Sequence, residues 1–475
     1  MKQYSILWIA LLLLWGVTGC KTTPEVKQAK YIFLFIGDGM GFNQVGAAEM
    51  FQAEMEGRIG VVPLVFTSFP VRNYATTFSA TNAVTCSSAA GTALATGVKT
   101  RNNMMGMDKD SLRALESVAV KAKRAGKRVG ITTNVTVNHA TPAAFYAHQL
   151  SRSMYYEIGT DAAKAGFHFY GGSGLGSPTS GKNPGAPDLF TLLQDSGYMV
   201  TRGWEAWSRL NTLPEKMVLI QGEEAKSVTS MPPALGRGPG DMTLAQITEA
   251  AIRFLSRDPE KGFFLMVEGG MIDWLCHDND GAAVVREVID FSTSIELAYR
   301  FYLQHPDETL IIVTADHETG GMVLGTGSYR LSLKMLQHQK SPLTTITQKL
   351  QTVRKEEKYP GSWNTVKQVL KEDCGFWGEV SLSPEEEARL KTCYDELFRP
   401  QPAAKMTSNL YSTVDPLAKM AVEILNRKAG LSWASGGHSA NVVPVYAVGV
   451  GAERFNGSLD NTDIPKRITA IGGYE

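Results

Sequence analysis

Five short apolar runs along the chain predict buried β-strands. The runs are continuous rather than alternating, which is typical of strands covered on both faces of a parallel sheet. They are YIFLFI (31–36), RVGITT (128–133), FFLMV (263–267), TLIIVT (309–314) and VPVYAVGV (443–450). Amphipathic segments between them, such as 111–126 and 243–258, predict helices. This alternation indicates an α/β fold, a three-layer sandwich in which helices flank a central, mostly parallel β-sheet.

Acidic and imidazole side chains follow three of these runs directly. They are Asp38 in GDGMG, then Glu268, Asp273 and His277 in EGGMIDWLCH, and Asp316 and His317 in ADHETGG. Ligands of open α/β sheets bind beyond the carboxyl ends of the strands. We therefore expect the three turns to meet in one crevice.

One carboxylate after a strand is more often a helix cap or a turn former than a ligand. Three such turns in one crevice are different, because buried like charges repel and each costs several kcal/mol without a partner. Divalent cations remove that conflict: mixed Asp and His sets suit zinc, and oxygen-only sets suit magnesium. The pattern indicates a hydrolase with two metal ions about 4 Å apart.

Six motifs, in the same order over most of the chain, carry a family resemblance. They are IFLFIGDGMG, VTCSSAAGTALATGVKT, NHATPAAFYAHQLSR, VEGGMIDWLCH, TADHETGGM and GGHSANVVPVYAVG. In these motifs the chain resembles the alkaline phosphatases. The resemblance implies hydrolysis of phosphate monoesters to an alcohol and inorganic phosphate. It further implies a phosphoserine intermediate and a site with two Zn²⁺ ions and one Mg²⁺ ion.

The resemblance also implies a ligand set for each ion. The sets are Asp273, His277 and His438 for the first zinc; Asp38, Asp316, His317 and the Ser87 hydroxyl for the second; and Asp38, Thr141 and Glu268 for the magnesium.

The nucleophile is expected in TCSSAAGTA. Members of the family have the sequence Thr-Asp-Ser-Ala-Ala at the start of this segment. Aligned without a gap, Cys86 falls on the aspartate, Ser87 on the serine and Ser88 on an alanine. The resemblance thus implies Ser87 as nucleophile, at the start of a helix whose free N–H groups favour a phosphate. It implies that Arg152 grips two phosphate oxygens, which suits a planar guanidinium.

Three positions depart from the family pattern around these residues. Cys86 replaces an aspartate that steadies the arginine, and a thiol is a weak hydrogen-bond partner. His139 stands where bacterial members often have aspartate, and Trp274 where others have lysine or histidine. We expect looser positioning of Arg152 and changes in magnesium binding and phosphate screening.

Related activities and a non-enzymatic role stay open at this point. Sulfatases of the superfamily use a Cys/Ser-x-Pro-x-Arg motif, whereas this chain reads CSSAA from Cys86. Phosphodiesterases generally lack the third-metal set that Thr141 and Glu268 match. An anchored metal- or phosphate-binding lipoprotein without activity would be expected to have lost the nucleophile or a ligand.

The first residues predict export. MKQYSILWIALLLLWGVTGC has a positive start and an apolar run too short to span a membrane, and it ends in the pattern of a bacterial lipoprotein signal. We predict a signal peptide at 1–19, a lipidated tether at 20–30 anchored through Cys20, and an alkaline-phosphatase-like domain at 31–475. The protein is expected in the periplasm or at the cell surface, anchored to the outer membrane.

The remaining expectations concern nucleic acid binding, a disulfide, an insertion and the oligomeric state. Lys plus Arg and Asp plus Glu balance at 47 each, so no net field indicates nucleic acid as a partner. Cys374 and Cys393 form a plausible disulfide pair. A charged, helical segment suggests an insertion at about 329–430 between metal-ligand motifs. A homodimer is possible because dimers are common in the family.

Overall fold

The computed structural model describes residues 27–223, 229–327, 329–356, 362–398, 406–408 and 411–475. The predicted signal peptide and Cys20 lie outside these residues. Among the described residues, no helix combines the length and the apolar character that crossing a bilayer requires.

The strands are β1 (Tyr31–Gly37), β2 (Val71–Thr76), β3 (Arg128–Thr133), β4 (Phe169–Gly172), β5 (Tyr198–Arg202), β6 (Lys216–Ile220), β7 (Phe263–Gly269), β8 (Thr309–Thr314), β9 (Glu318–Thr319), β10 (Met322–Leu324), β11 (Thr407–Ser408), β12 (Thr413–Val414), β13 (Leu431–Trp433), β14 (His438–Ser439), β15 (Val443–Gly449) and β16 (Leu459–Asp460).

The α-helices are α1 (Phe42–Met55), α2 (Ser87–Thr96), α3 (Val118–Arg124), α4 (Ala140–Ala143), α5 (Tyr155–Ala165), α6 (Leu189–Asp195), α7 (Trp204–Ser208), α8 (Leu244–Leu255), α9 (Met271–Asp278), α10 (Gly281–Gln304), α11 (Leu343–Glu356), α12 (Trp363–Cys374), α13 (Pro384–Leu397), α14 (Pro416–Ala429) and α15 (Asp463–Gly472). Short 3₁₀ helices cover Phe66–Ser68, Leu333–His338 and Ala452–Phe455.

A ten-stranded sheet in the order β16-β2-β15-β8-β1-β7-β3-β4-β6-β5 forms the centre of the described structure. The five apolar runs all become strands of this sheet, and β1, β3, β7 and β8 are buried along their whole length. These four strands run parallel. The predicted α/β architecture, with a mostly parallel sheet between helices, is confirmed.

Two predictions about secondary structure are wrong. The last run forms β15, which pairs antiparallel with both β8 and β2 rather than parallel. The predicted helix at 111–126 exists only as α3, which begins after the cap residue Ser117. The preceding residues make a turn instead: Asp108 accepts the N–H of Leu112, and Ser111 has a φ of 64°.

Helices α11 to α14 enclose a second hydrophobic core, separate from the core around the main sheet. They fall within the segment 329–430, where the sequence suggests an insertion. The predicted disulfide between Cys374 and Cys393 is absent, and both residues are free thiols buried in this core. They act there as small apolar side chains, a common role for buried cysteine.

Candidate active site

Adjacent strands deliver three carboxylates to one point at the carboxyl edge of the sheet. Ile36 of β1 pairs with Glu268 of β7 on one side and with Thr314 of β8 on the other. Asp38 lies two residues after Ile36, and Asp316 lies two residues after Thr314. Both are in the turns that follow β1 and β8. All three carboxylates are completely buried. The convergence expected from the strand ends is present.

Helix α9 and strand β14 bring the remaining predicted ligands to the same place. Asp273 and His277 are four residues apart on α9, and this spacing puts both on one helix face. His438 of β14 pairs with Thr319 of β9, and its ring stacks on that of His317 with 3.6 Å between centroids and 23° between planes. Two imidazoles and a carboxylate thereby join the three strand-end carboxylates.

The buried negative charge of this cluster has little compensation within the protein. One oxygen of each carboxylate, on Asp38, Glu268, Asp273 and Asp316, is buried and accepts no hydrogen bond. Among the described residues, no lysine or arginine forms an ion pair with any of the four. Such oxygens are costly unless a cation binds them, so the donor set fits metal ions.

The pKa values record the same conflict. Burial raises the pKa of Glu268 to about 8. Burial and the neighbouring Asp273 raise the pKa of Asp316 to about 7, and burial together with Asp316 raises that of Asp38 well above its ordinary value. Burial also opposes ionisation of Asp273, but His277 and the other two imidazoles outweigh it and lower the pKa of that carboxyl. Strongly shifted groups of this kind concentrate at functional sites.

Two histidines are held in the tautomer that leaves Nε2 free to bind a metal. His277 donates its Nδ1–H to the carbonyl of Gly436 at 2.7 Å, and His438 donates its Nδ1–H to the carbonyl of Thr85 at 2.9 Å. In the neutral rings, both Nε2 atoms therefore carry lone pairs, and these atoms lie only 3.2 Å apart. A cation between them would relieve the repulsion, and backbone carbonyls commonly orient metal-binding histidines in this way.

Ligand atoms within 4.8 Å of one another form three overlapping groups: Asp273, His317 and His438; Asp38, Asp316 and His317; and Asp38, His139 and Glu268. The second group equals the set predicted for the second zinc, apart from the Ser87 hydroxyl. The set predicted for the first zinc also assembles, because Nε2 of His277 lies 3.4 Å from Asp273.

The third group includes His139 where the prediction has Thr141. The Thr141 hydroxyl donates to Asp38 Oδ2 at 3.2 Å, so it lies at the same point. His139 accepts a hydrogen bond from Arg152 at Nε2, 3.1 Å away, and burial followed by Arg152 lowers its pKa to about 3. A neutral ring that accepts at Nε2 keeps its proton on Nδ1. His139 then borders the third group without a lone pair for a cation.

Ser87 is the first residue of helix α2 and lies at the edge of the carboxylate cluster. Its Oγ is 3.2 Å from Nε2 of His317 and accepts a hydrogen bond from Arg152 Nη1 at 3.5 Å. Ser88 points elsewhere, with its Oγ 3.2 Å from the sulfur of Cys86. Of the two serines, only Ser87 adjoins a candidate metal ligand in these contacts.

Small residues let α2 approach the site closely. A Cβ added at Gly91 would lie 3.1 Å from Ala144 Cβ and 3.3 Å from the backbone of Thr141. Helix α2 therefore packs directly against α4, which carries Thr141. The first N–H groups of α2 have no acceptor within the helix, and such groups attract anions. The run of small residues thus serves both packing and the placement of Ser87.

Arg152 faces Ser87 from a separate loop. Cys86 contacts the backbone that holds this loop. The N–H of Arg152 donates to the carbonyl of Asn103 at 2.7 Å. The N–H of Asn103 donates in turn to the sulfur of Cys86 at 3.0 Å. Cys86 therefore bonds to the backbone that holds Arg152, and its sulfur makes these contacts rather than a hydrogen bond to the guanidinium.

Sequence reasoning missed three residues of the site. Tyr411 stacks on Trp274, with 4.5 Å between ring centroids and 11° between planes, and its hydroxyl accepts from Arg152. Thr319 donates to Asp273 at 2.5 Å, and Thr133 donates to Glu268. Thr319 stands inside the motif TADHETGGM, where the histidine two residues before it could have marked it. Tyr411 belongs to no recognised motif.

Comparison with known proteins agrees with the fold and the site. The model of the alkaline phosphatase family matches residues 29–171 and 227–474. Alkaline phosphatase 4 of Bacillus subtilis (strain 168) is 33% identical over 385 residues, which cover 80% of this chain and 75% of that protein. Alkaline phosphatase 3 of the same organism is 29% identical over 454 residues, 94% of this chain and 90% of that protein.

Solved structures give the same result. The alkaline phosphatase of Thermus thermophilus superposes with a TM-score of 0.77 at 27% identity, over 94% of this chain and 92% of that one. A cold-active enzyme from a psychrophilic Shewanella sp. gives a TM-score of 0.75 at 27% identity, over 93% and 99%. A variant of the alkaline phosphatase from the Antarctic bacterium TAB5, with Mg bound in its M3 site, gives a TM-score of 0.64 at 25% identity. The match covers 95% of this chain and 100% of that one. The chain described here belongs to the alkaline phosphatase family.

Proposed function

We propose that this protein hydrolyses phosphate monoesters to an alcohol and inorganic phosphate, with Ser87 as the nucleophile. One observation carries the proposal: the Ser87 hydroxyl lies between His317, a member of two metal-binding groups, and the Arg152 guanidinium. With a metal ion held at His317, a phosphoryl group next to Ser87 would meet positive charge on both sides. Membership of the family implies phosphoester hydrolysis, and the site supports the narrower assignment.

We propose that two zinc ions and one magnesium ion complete the site. Asp273, His277 and His438 would hold one zinc, and Asp38, Asp316 and His317 the other. Asp38, Thr141 and Glu268 offer only oxygens, which suits magnesium. When bound, such ions neutralise the buried carboxylates and lower the pKa of a bound hydroxyl or water. A TAB5 alkaline phosphatase variant in which one histidine is replaced by aspartate holds Mg in its M3 site, which supports magnesium as an ion that this family binds.

The chain's own residues then account for both halves of the reaction. Arg152 and the first N–H groups of α2 hold the phosphoryl oxygens and direct phosphorus toward Ser87. The Ser87 hydroxyl gives up its proton, and its Oγ forms a bond to phosphorus as the bond to the ester oxygen breaks. The departing alkoxide takes up a proton and leaves as the alcohol. Water later attacks the phosphoserine, inorganic phosphate leaves, and the Ser87 hydroxyl is restored.

The predicted magnesium ligands Asp38, Thr141 and Glu268, together with Arg152, favour monoesters over diesters. A magnesium ion held by Asp38, Thr141 and Glu268 would add positive charge to the site, and Arg152 is aimed at Ser87, so the anionic non-bridging oxygens of a monoester would have partners. A diester lacks one of these anionic oxygens and would leave part of this positive surface unpaired. A phosphodiesterase is the alternative reading, and an inactive metal- or phosphate-binding lipoprotein is the third.

A panel of three chromogenic substrates tests the proposal. Hydrolysis of p-nitrophenyl phosphate, bis(p-nitrophenyl) phosphate and p-nitrophenyl sulfate is measured with zinc and magnesium and again after chelation. We expect metal-dependent turnover of the monoester to exceed that of the other two by at least about a hundredfold. Preferred turnover of the diester would replace the proposal with the alternative. No turnover with metals supplied would leave the binding role.

We also propose that the protein is an exported lipoprotein, anchored to the outer membrane through a lipid on Cys20, with the domain at 31–475 on the tether at 20–30. The lipobox pattern VTGC supports this. Replacing Cys20 with alanine should move the protein from the membrane fraction to the soluble fraction. Equal membrane association of both forms would contradict the lipid anchor.

A further inference from the structure

Tyr411 is an aromatic side chain in the candidate active site that belongs to none of the six family motifs. It lies just before β12, in the segment between the motifs that carry His317 and His438. Its hydroxyl lies 2.9 Å from Nη2 of Arg152. We propose that Tyr411 positions Arg152 for phosphate binding, a role that rests on the proposed function and adds a residue to it.

The hydrogen bonds of Arg152 explain how this works. Nη2 carries two hydrogens, and one goes to Nε2 of His139 at 3.1 Å and the other to the Tyr411 hydroxyl. Because the guanidinium is planar and rigid, fixing Nη2 also fixes the direction of Nη1. Nη1 then points at Ser87 Oγ, 3.5 Å away. The two partners on Nη2 leave Nη1 available for a phosphoryl group next to Ser87.

Tyr411 is itself held firmly enough to act as a support. One face of its ring stacks on Trp274, and its ring meets those of His277 and His139 at centroid distances of 5.3 Å and 5.8 Å. The next residue, Ser412, donates a hydrogen bond to Asp278 at the end of α9. The tyrosine is therefore tied to the helix that carries Asp273 and His277.

The contacts of Cys86 explain why such a support is required. A carboxylate at this position could pair directly with the guanidinium. The Cys86 sulfur instead contacts Ser88 Oγ and the N–H of Asn103, so it supports the Arg152 backbone and accepts none of the hydrogen bonds shown for the head group. Tyr411 and His139 accept the hydrogen bonds that Nη2 of the head group donates.

The substitution Tyr411→Phe removes the hydroxyl and keeps the ring that stacks on Trp274. We measure binding of inorganic phosphate to the zinc- and magnesium-loaded protein by calorimetry, together with kcat and KM for p-nitrophenyl phosphate. Loss of one hydrogen bond to a charged group should raise the phosphate Kd and the KM about tenfold, with a smaller change in kcat. Tyr329→Phe, at a fully exposed tyrosine, is the matched control and should change neither.

A second variant distinguishes lost positioning of Arg152 from general destabilisation of the protein. Adding Cys86→Asp to Tyr411→Phe supplies a carboxylate beside Arg152 and should restore most of the lost phosphate affinity. An unchanged phosphate Kd in Tyr411→Phe would overturn the inference, as would a loss that comes with a lower melting temperature and is not rescued. Failure of the proposed function looks different: the unmodified protein would then bind phosphate without turning over the monoester. An unmodified protein that bound no phosphate would overturn both.

Discussion

The Nε2 atoms of His277 and His438 face each other at 3.2 Å, while both Nδ1–H groups are committed to backbone carbonyls. Neutral imidazoles in this arrangement direct two lone pairs at one point. Asp273 lies at the same point, 3.4 Å from His277 and 3.7 Å from His438. The three side chains are thus arranged around a place for a cation, and this gives several measurable consequences.

Removal of metal should destabilise the folded protein. The four buried carboxylates have oxygens without hydrogen bonds, and bound cations would compensate them. Because a ligand that binds only the folded state stabilises it by mass action, dialysis against a chelator should lower the melting temperature by ten degrees or more. Adding zinc and magnesium back should restore it. Equal melting curves with and without chelator would contradict a metal site.

The stability of the metal-free protein should fall as the pH rises from about 6.5 to about 8. Below this window the buried His139, His317 and His438, whose pKa values are lowered by burial, oppose the trend, because unfolded histidines bind protons there. Burial raises the pKa of Glu268 to about 8, and burial with Asp273 raises that of Asp316 to about 7, whereas carboxyls of an unfolded chain titrate near about 4. Within this window the folded state keeps protons that the unfolded state has released, so the free energy of unfolding decreases with pH. Urea unfolding of the chelated protein at several pH values measures this slope.

The metal-loaded protein should behave differently as the pH rises. Cations bind the deprotonated carboxylates, so their affinity rises with pH and offsets the loss. We expect the stabilisation by added zinc and magnesium to be larger at about pH 8 than at about pH 5. Stabilisation that is equal at both pH values would indicate that these carboxylates are not ligands.

Thr319→Val should weaken metal binding without removing a predicted ligand. The Thr319 hydroxyl donates to Asp273 at 2.5 Å and lies 3.2 Å from Nδ1 of His317, so it orients one member of each zinc set. Loss of such an orienting group typically costs about 10- to 100-fold in metal affinity. Zinc affinity is measured by competition with a chelator. Thr293→Val on the exposed face of α10 is the control. An equal loss of zinc affinity in this control would contradict an orienting role of Thr319.

Cys86→Asp should lower the KM for a phosphomonoester several-fold, because a carboxylate can pair with the Arg152 guanidinium more strongly than a thiol can. Cys86→Ala should have the opposite effect, since the N–H of Asn103 would lose its acceptor and the loop that holds Arg152 would loosen. Steady-state kinetics on the two variants give the comparison. A KM that is unchanged from that of the unmodified protein in both variants would show that position 86 does not influence Arg152.

The sequence predicts most of the cluster because its ligands follow strand ends. Asp38, Glu268 and Asp316 come directly from β1, β7 and β8, and neighbouring strands must bring their carboxyl ends together. The direction of β15 was not predictable in this way, because a strand covered on both faces reads as a continuous apolar run in either direction. Pattern alone also misjudged 111–117, where a turn held by Asp108 replaces the helix.

The place of Tyr411 in the site could not be predicted from the sequence. Its contact with Arg152 joins residues 259 positions apart and depends on the path of a segment that has no motif and packs around its own core. The role of Cys86 was only partly predictable for a similar reason. The sequence identifies it as an unusual neighbour of Ser87, but only the folded backbone shows that its sulfur contacts Asn103.

Direct detection of the covalent intermediate tests the central assignment most sharply. Metal-loaded protein is incubated with inorganic phosphate or a monoester, quenched in acid, digested and examined by mass spectrometry for a phosphoryl group within residues 84–97. We predict phosphate on Ser87, none after Ser87→Ala, and retention of both the label and most of the activity in Ser88→Ala. Phosphate on Ser88, or full turnover by Ser87→Ala, would contradict the account.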